Sequence, residues 1–434
     1  MNISIIGTGY VGLPTGVGFA SLGHNVCCID KNIDKVERLN KGQIDIYEDN
    51  LKELFDKTVQ EGKLTFAYSI KEGIQNADLV ILAVGTPTEP NTNKADLTYI
   101  KEASKEIAEC EIDRHIVIAI KSTVPVGTGD MVEEIINNEN CDIVSMPEFL
   151  REGFALHDFF NPDRIVIGTN SEKAKNLLQQ LYQDKNVLFT DRRSSELIKY
   201  ASNAFLALKI HYINEIADLC EKAGANVEFV AKGMGLDSRI GNKFLNAGIG
   251  FGGSCFPKDT KALLETSKEF DSKMSLVDTV INGNNFRKMK IAKKIADKAK
   301  ELNPHGEKQI RIAIYGLAFK NNTDDCRESP AIEIIQHLLN EKDLILEVYD
   351  PKANENAKKI LGDKVNYYEC PKLCAYAVDM LVILTEWEEF KNLDYKLILT
   401  SMRDDILLDY RNLLDEEEMK SIGFKYERIG KKYD

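Results

Sequence analysis

The sequence predicts an α/β protein in which two parallel-sheet domains flank a helical middle region. Three observations lead to this fold: short apolar strands alternate with helical segments from the first residues, a long amphipathic helix begins near Ser194, and the opening pattern returns near Arg311. Buried strands separated by helices pair in parallel. A chain of 434 residues has room for two to three domains of about 150 residues. We predict domains at 1–193, 194–302 and 303–434.

The first unit begins with an apolar strand, Asn2–Ile6, that runs into Gly7-x-Gly9-x-x-Gly12 and a helix. In this context Gly7 allows a tight turn, Gly9 lets the backbone approach a pyrophosphate, and Gly12 lets the helix pack closely on the sheet. The next strand ends at Asp30, whose carboxylate suits a ribose hydroxyl and repels a 2′-phosphate. This Rossmann-like pattern predicts a dinucleotide site that favours NAD over NADP; the alternative is an α/β turn without a ligand.

The middle region opens with apolar residues at helical spacing from about Ser194 to Ala223, ended by Gly224. We predict one long central helix that bridges two domains and forms the interface of a homodimer. Lys199 and Asn203 lie one turn apart on it and share a face. Side by side they could donate hydrogen bonds to an oxyanion, although a lysine and an asparagine on a solvated surface would show the same spacing.

A glycine-rich segment, Gly248–Asp259, carries the clearest chemical signal of the middle region. Pro257 suits the first position of a helix, which places Cys255 just ahead of a helix N-terminus and near Lys258. Such surroundings favour a thiolate. Most cysteines are buried and inert, but the flanking glycines and charges favour a nucleophile here.

The last third is predicted to be a degenerate copy of the first fold, with strands at Arg311–Gly316, Leu344–Tyr349 and Asp379–Leu384. It keeps a single turn glycine, so it lacks a dinucleotide cradle. Lys320 and Arg327 follow this glycine and could bind another phosphate, or could simply be solvated. The lysines of the helix over 287–300, which has an apolar stripe, are predicted to form a solvated face.

Composition excludes several classes of protein. There are 56 Lys and Arg against 69 Asp and Glu, a net charge of -13, which disfavours nucleic acid as a partner. The nine cysteines contain no Cys-x-x-Cys pair, and the six histidines lack metal-ligand spacing, so we expect neither disulfides nor a metal, and a cytoplasmic location. The uncharged first 29 residues contain six glycines, which predicts a buried strand, turn and helix rather than a membrane segment.

Five motifs, taken together, resemble the UDP-glucose/GDP-mannose dehydrogenase family over nearly the whole chain. They are Gly-x-Gly-Tyr-Val-Gly at 7–12, Ser-Thr-Val-Pro-Val-Gly-Thr at 122–128, Pro-Glu-Phe-Leu-Arg-Glu-Gly at 147–153, Pro-Asp-Arg-Ile-Val-Ile-Gly at 162–168 and Gly-Gly-Ser-Cys-Phe-Pro-Lys-Asp at 252–259.

The resemblance implies site residues in three groups. The implied catalytic residues are Cys255 as nucleophile, Glu148 as the acid/base for thioester hydrolysis, and Lys199, Asn203, Asp259 and Thr123 as support. The implied cofactor residues are Gly7, Gly9, Val11, Gly12, Asp30, Lys35, Thr86, Thr123, Glu152, Lys258 and Arg327. The implied substrate residues are Glu148, Phe149, Leu150, Arg151, Glu152, Lys199, Asn203, Phe244, Leu245, Asn246, Ala247, Gly248, Gly252 and Lys320.

The resemblance also implies the reaction: oxidation of UDP-glucose to UDP-glucuronate for polysaccharide biosynthesis. Taking a primary alcohol to a carboxylate removes four electrons, so one turnover needs two NAD, and Cys255 would carry a thiohemiacetal and then a thioester. GDP-mannose and UDP-N-acetylhexosamines are alternative substrates, but Pro162-Asp163-Arg164 and Ser254-Cys255-Phe256 look more like the UDP-glucose branch. The alternative hypothesis from a different class is a regulator that binds NAD and has no catalytic activity.

Overall fold

A computed structural model describes residues 1–433, which form two compact units. Unit 1 comprises Met1–Ser202 and Lys261–Lys273, and unit 2 comprises Asn203–Thr260 and the chain from Met274 onward. The predicted division into three domains has other boundaries, because 194–202 and 261–273 of the predicted middle domain belong to unit 1. It stays a prediction.

The first part of the chain, through the long helix, builds an eight-stranded sheet and its helices. Its elements are β1 Asn2–Ile6, α1 Gly12–Ser21, β2 Asn25–Ile29, α2 Ile33–Asn40, α3 Leu51–Gln60, β3 Leu64–Ala67, α4 Ile70–Gly73, β4 Leu79–Leu82, α5 Thr98–Ala108, β5 Ile116–Ile120, α6 Thr128–Ile136, β6 Cys141–Ser145, α7 Ala155–Phe160, β7 Ile165–Gly168, α8 Glu172–Leu181, β8 Val187–Thr190 and α9 Arg192–Ala223.

The described chain from Val227 onward builds nine more α-helices and a six-stranded sheet. Its elements are α10 Val227–Gly235, α11 Phe256–Glu269, α12 Ser275–Leu302, β9 Ile310–Tyr315, α13 Pro330–Leu338, β10 Leu344–Tyr349, α14 Asn354–Leu361, a 3₁₀ turn at Gly362–Lys364, β11 Asn366–Tyr367, α15 Pro371–Cys374, β12 Met380–Ile383, α16 Glu388–Lys391, α17 Tyr395–Ser401, β13 Ile406–Asp409, α18 Glu416–Ile422 and β14 Lys425–Arg428.

The first sheet has the strand order β3-β2-β1-β4-β5-β6-β7-β8. Apolar residues of β4 and β5 are buried on both faces, as expected where helices cover a parallel sheet. One pair departs from the prediction, because β7 runs antiparallel to β6, with Ser145 opposite Gly168. The sheet is therefore parallel through β6 and reverses direction once.

The second sheet repeats the plan of the first. Its order, β11-β10-β9-β12-β13-β14, matches that of the first six strands, and all its pairs are parallel. The backbone N–H of Gly316 donates to the carbonyl of Tyr349 at 2.8 Å, as that of Gly7 donates to Ile29 at 2.7 Å. The predicted α/β fold with a second, degenerate copy is confirmed.

The long helix α9 contains 32 residues and is about 48 Å long at 1.5 Å per residue. It begins two residues before the predicted start, because the carboxylate of Asp191 accepts a hydrogen bond from the N–H of Ser194 at 2.8 Å and so satisfies the first turn. Among residues 1–433, no helix combines the length and the apolar character that a bilayer crossing requires.

The basic helix α12 differs from its prediction. Arg287 and Lys288 are only 3% and 2% exposed, so these two cations are part of the interior rather than of a solvated face. Lys288 is paired with Glu333 at 2.6 Å, and the Arg287 guanidinium is paired with Asp218 at 2.5 Å. The two cations can be buried, contrary to the prediction of a solvated face, because each has a carboxylate partner.

Candidate active site

The glycine turn after β1 has the shape that a pyrophosphate needs. Gly7 has a φ of +101°, and a Cβ there would lie 2.6 Å from the Ala83 carbonyl oxygen. A Cβ on Gly12 would lie 1.9 Å from the carbonyl oxygen of Gly7. At Gly9 a Cβ would meet nothing within 4 Å, so open space lies over this glycine at the N-terminus of α1. The turn therefore fits a dinucleotide.

Asp30 lies at the end of β2, where the predicted ribose contact belongs. Its Oδ2 accepts hydrogen bonds from the Thr8 N–H at 3.2 Å and the Thr8 hydroxyl at 2.6 Å, and the Lys35 ammonium lies 3.3 Å away. Burial acts to raise the pKa of Asp30, but hydrogen bonds from Thr8 and Asn32 and the charge of Lys35 outweigh it and lower the pKa. Oδ1 accepts one bond, from Asn32, and has capacity for a hydroxyl.

Thr86 and Thr123, both predicted to contact the cofactor, lie together at the carboxyl edge of the first sheet. The Thr86 hydroxyl donates to the carbonyl of Thr123 at 2.8 Å. The Ser122 hydroxyl donates to the carbonyl of Val84 at 2.7 Å. These bonds join the loops that follow β4 and β5, on the side of a parallel sheet where ligands bind.

Glu148 and Lys199 form a buried ion pair in unit 1. The carboxylate Oε1 lies 3.1 Å from the Lys199 ammonium, and Oε2 accepts the N–H of Leu150 at 2.5 Å. The two residues are 5% and 4% exposed. The surface interpretation of Lys199 is therefore wrong, and the pair has the surroundings of a functional site.

The rest of the predicted substrate segment surrounds this pair. The Phe149 ring lies 3.6 Å beneath the Arg164 guanidinium and 5.2 Å from the Lys199 ammonium. Arg151 is paired with Asp158 at 2.6 Å. Phe149 and Arg151 of this segment are thus each in contact with a residue further along the chain.

Sequence reasoning missed Glu48, which supports the same loop. Its carboxylate accepts the N–H groups of Gly153 at 2.9 Å and Ala155 at 2.5 Å, at the start of α7. A buried carboxylate on helical N–H groups is a stable cap. Nothing near Glu48 in the sequence signals this contact, because its partners lie more than 100 residues later.

In unit 2, Cys255 stands immediately before α11. Its carbonyl accepts the N–H of Asp259 at 2.8 Å, so it occupies the N-cap position; the sequence had predicted it just ahead of a helix N-terminus. The helix begins at Phe256, which puts Pro257 at its second position rather than its first. The thiol is partly exposed, 3.6 Å from the Ser254 hydroxyl.

Asp259 is fully buried and joins two other predicted residues of unit 2. Its carboxylate accepts from the Asn203 amide at 2.6 Å and from the Lys258 ammonium at 2.6 Å. Asn203 is itself buried, so the surface interpretation fails for it as well. Asp259 therefore fixes the orientation of the Asn203 amide and the position of the Lys258 charge.

The glycine-rich segment is held by three buried polar residues that sequence reasoning did not identify. The N–H of Gly248 donates to the Asn214 side chain at 2.8 Å, and its carbonyl accepts from Arg287 at 2.9 Å. Asn284 both accepts from and donates to the backbone of Phe251 at 2.9 Å. A signal was present, because Asn284 and Arg287 fall in register with Val280 and Ile291 on the apolar stripe of α12.

The loop after β9 meets the glycine-rich segment within unit 2. The N–H of Gly253 donates to the carbonyl of Arg327 at 3.0 Å, and a Cβ on Gly252 would lie 2.1 Å from the carbonyl oxygen of Glu328. Arg327 is paired with Asp325 at 2.7 Å. The Lys320 ammonium lies 5.4 Å from the Phe319 ring. Gly252, Lys320 and Arg327 thus belong to neighbouring segments.

Comparison with known proteins fits this geometry. Three models of one family match the chain in order: the NAD binding domain over 1–186, the central domain over 193–286 and the UDP binding domain over 313–416. The chain belongs to the UDP-glucose/GDP-mannose dehydrogenase family. The NAD binding model covers the Gly7–Gly12 turn and Asp30, and the UDP binding model covers Lys320 and Arg327.

Individual members of the UDP-glucose/GDP-mannose dehydrogenase family match along their whole length. A UDP-glucose 6-dehydrogenase of Rhizobium meliloti is 46% identical over 99% of this chain and 100% of its own, and one of Bacillus subtilis is 44% identical over 99% and 93%. A solved UDP-glucose dehydrogenase of Pyrobaculum islandicum is 38% identical, with a TM-score of 0.89 over 99% of this chain and 98% of its own. The chain is thus an NAD-dependent nucleotide-sugar dehydrogenase.

Proposed function

We propose that this dehydrogenase oxidises the primary alcohol of UDP-glucose to a carboxylate and releases UDP-glucuronate. The observation that carries the proposal is the full-length similarity, at 41–46% identity, to curated UDP-glucose 6-dehydrogenases. A solved UDP-D-ManNAc dehydrogenase of Pyrococcus horikoshii is less similar, at 28% identity with a TM-score of 0.85 over 99% of both chains. GDP-mannose and UDP-N-acetylhexosamines remain the alternative substrates.

Cys255 is proposed as the nucleophile. The substrate loses four electrons, and each NAD accepts one hydride, so two NAD are consumed per turnover. Between the two oxidations the thiol adds to the aldehyde carbon and forms a thiohemiacetal, which the second oxidation converts to a thioester. The position of Cys255 at the N-cap of α11 supports this role, since a helix N-terminus stabilises a thiolate.

The buried polar groups are proposed to stabilise and hydrolyse these species. Lys199 and Asn203 donate hydrogen bonds to the developing oxyanions, and Asp259 orients the Asn203 amide that it contacts at 2.6 Å. Glu148 takes a proton from the water that attacks the thioester. Thr123, whose carbonyl the Thr86 hydroxyl contacts, supports the reacting end of the cofactor.

The binding residues are proposed in two sets, which retain the predicted assignments. The nucleotide sugar contacts the segment from Glu148 to Glu152, the loop from Phe244 to Gly248, Gly252 and Lys320, in addition to Lys199 and Asn203. NAD contacts Gly7, Gly9, Val11, Gly12, Asp30, Lys35, Thr86, Thr123, Glu152, Lys258 and Arg327. The open space over Gly9 and the accepting capacity of Asp30 support the second set.

A homodimer through the central helix is part of the proposal. Phe205, Tyr212 and Leu219 are exposed on α9 at intervals of seven residues, which places them on one face of the helix. An apolar stripe of this kind fits a second copy of the same helix. Light scattering on the wild type and on Phe205→Asp tests this, because loss of a wild-type dimer in the variant is expected.

A reducing compartment, the cytoplasm, is proposed as the location. None of the nine cysteines forms a disulfide within residues 1–433. Chains that persist in an oxidising compartment generally pair their cysteines.

One assay tests the reaction against its alternatives. The purified chain is mixed with NAD and, in turn, UDP-glucose, GDP-mannose and a UDP-N-acetylhexosamine, and NADH absorbance is followed. We expect the highest kcat/KM with UDP-glucose and two NADH per UDP-glucuronate. Binding of NAD without NADH formation from any of these sugars would support a non-catalytic regulator, and a different preferred sugar would reassign the substrate.

A further inference from the structure

A carboxylate buried in unit 1 binds the first turn of α6. Oε2 of Glu196, on α9, accepts the N–H of Gly127 at 2.7 Å, and Oε1 accepts the N–H of Gly129 at 2.7 Å. Glu196 is only 2% exposed. The first N–H groups of a helix have no partners within the helix, and a negative charge beside them is favourable. Glu196 therefore caps α6, and the proposed function gives it no role.

The turn that Glu196 binds continues directly from the loop that carries Thr123. Three residues separate Thr123 from Gly127, and one of them is Pro125, whose ring limits the freedom of the backbone. At the other end of this short segment the Thr86 hydroxyl donates to the carbonyl of Thr123 at 2.8 Å. The segment is thus held at one end by the loop after β4 and at the other end by Glu196, so the position of Thr123 depends on both contacts.

The start of α9 is anchored, which makes Glu196 a fixed point for the turn. The hydroxyl of Ser195 donates to the carbonyl of Ser145, at the end of β6, at 3.1 Å. The guanidinium of Arg192 is paired with Asp130 of α6 at 2.7 Å. The residues just before Glu196 are therefore joined both to the sheet and to the helix that the carboxylate caps.

Two glycines let the turn approach this carboxylate closely. A Cβ on Gly129 would lie 3.2 Å from Oε1 of Glu196 and 3.1 Å from Cδ of Arg192, closer than side chains normally pack. Gly127 has a φ of +93°, in the left-handed region that glycine adopts without strain. The fit between the turn and the carboxylate is therefore close, and a change in the carboxylate should move the turn.

We propose that Glu196 is a positioning residue for the cofactor: by fixing the turn at Gly127–Gly129 it sets the place of Thr123 at the reacting end of NAD. The inference rests on the proposed role of Thr123. Glu196 acts through the backbone of the loop, so its replacement should change the geometry of hydride transfer more than the affinity for NAD. The proposed contacts of Asp30 and the Gly7–Gly12 turn hold the rest of the cofactor.

Glu196→Gln changes one acceptor of the side chain and almost none of its volume. An NH₂ group replaces one oxygen, so one N–H of the turn loses its acceptor and faces another donor. A buried donor without an acceptor is costly, and movement of the turn relieves this cost. Hydride transfer from C6 of the sugar to the nicotinamide depends on distance, and a displacement of about 1 Å can slow such a step by about a hundredfold.

The experiment follows NADH formation in single turnovers, with saturating NAD and with enzyme in excess over UDP-glucose. It is done well above pH 7, because burial raises the pKa of Glu196 to about 7 and the carboxylate is ionised there. We expect Glu196→Gln to slow NADH formation by about tenfold or more, while the Kd for NAD stays near that of the wild type.

Deuterium at C6 of UDP-glucose identifies the step that is slowed. If hydride transfer limits the rate in Glu196→Gln, its isotope effect should be at least as large as that of the wild type. A smaller isotope effect would place the loss in another step and overturn the inference.

Asp78→Asn is the matched control for stability. Oδ2 of Asp78 accepts the N–H of Asn2 at 2.8 Å, at the amino edge of the same sheet, so Asp78→Asn should lower the melting temperature and leave hydride transfer unchanged. A Glu196→Gln protein with an altered melting temperature and the wild-type rate would show a purely structural carboxylate and overturn the inference. Should Glu196→Gln not fold, Glu196→Asp replaces it. The shorter side chain cannot reach both N–H groups from an anchored helix, so an unchanged rate there would overturn the inference as well.

A Thr123→Ala protein separates the inference from the function on which it rests. If the wild type forms no NADH from UDP-glucose, the proposed function fails and the inference fails with it. If the wild type is active, Thr123→Ala should slow hydride transfer, and Glu196→Gln should add little in that background, because both changes act on one contact. Full multiplication of the two losses would show independent residues, and only the inference would fail. A wild-type rate in Thr123→Ala would remove the proposed role of Thr123 and overturn the inference too.

Discussion

Asp30 and Asp350 occupy equivalent positions in the two sheets, and each accepts a hydrogen bond from the turn that follows the first strand of its sheet. Asp30 Oδ2 accepts the N–H of Thr8 at 3.2 Å, and Asp350 Oδ2 accepts the N–H of Leu317 at 2.7 Å. They differ in what else they bind. Asp30 keeps accepting capacity, whereas both oxygens of Asp350 are saturated by the protein.

Asp30 should determine the choice of cofactor. Its carboxylate would meet the 2′-phosphate of NADP as a like charge, so the wild type should have a much higher kcat/KM with NAD. Because Lys35 lies 3.3 Å from this carboxylate, Asp30→Ala releases a cation toward that phosphate. Steady-state kinetics should show the preference for NAD falling by about tenfold or more. Equal efficiency of the wild type with both cofactors would contradict the assignment.

Asp350 should be a stability residue. Its carboxylate accepts five hydrogen bonds, from the N–H groups of Leu317, Ala318, Lys352 and Ala353 and from the indole of Trp387. Asp350→Asn would point amide hydrogens at such donors and should lower the free energy of unfolding by about 3 kcal/mol. Denaturant unfolding measures this loss. The KM for NAD, measured in the same preparation below its unfolding range, should not change.

Lys320 should act on the nucleotide sugar. The UDP binding model of the family covers it, and a charge-assisted contact with a phosphate is lost in Lys320→Ala. Calorimetry should show UDP binding weakened by about tenfold or more, while the KM for NAD stays near that of the wild type. Unchanged affinity for UDP would reject the assignment.

Glu148→Gln should separate oxidation from hydrolysis. Both oxidations can proceed without the base, so NADH should appear in a burst approaching two per active site and then slow by about a hundredfold. Intact-mass measurement of the stalled protein should show an adduct on the peptide that contains Cys255. Cys255→Ala is the control, because it cannot form the adduct. A stall without an adduct would mean that the pathway does not pass through Cys255.

Glu196 should make stability depend on pH. This buried carboxylate of α9 accepts the N–H groups of Gly127 and Gly129 at 2.7 Å each, and burial raises its pKa to about 7. Between pH 4.5 and 7 the unfolded chain has already lost this proton while the folded chain retains it, so stability falls as pH rises. Glu196→Gln lacks this titration. The unfolding free energy of wild type relative to the variant should therefore fall by on the order of 3 kcal/mol across that window.

The turns and the helix and strand ends that depend on a few adjacent residues were predicted from the sequence. The glycine turn at Gly7–Gly12, the position of Asp30 after a strand and the position of Cys255 ahead of a helix each follow from a few adjacent residues, and the structure shows the same local elements. Glu148 was predicted from its resemblance to the family motifs. Its ion pair with Lys199, at 3.1 Å, was not predicted from the sequence and is shown by the structure.

The features that sequence reasoning missed are buried charges with distant partners. Glu48, Glu196 and Arg287 look like surface residues in a linear reading, because charged side chains are rarely buried without a partner. Each has its partners far along the chain or on another element. The reversal of β7 was missed for a related reason, since strand direction depends on the path of the connection rather than on the composition of the strand.

The turn glycines at 9 and 12 differ in a way that separates folding from ligand binding. A methyl group on Gly12 collides with the backbone of the turn, whereas one on Gly9 enters empty space. We therefore expect the Gly9→Ala protein to fold as well as the wild type and to lose binding of the dinucleotide. Such a protein would serve as a reference for any measurement in which heat, fluorescence or mobility changes must be assigned to the cofactor alone.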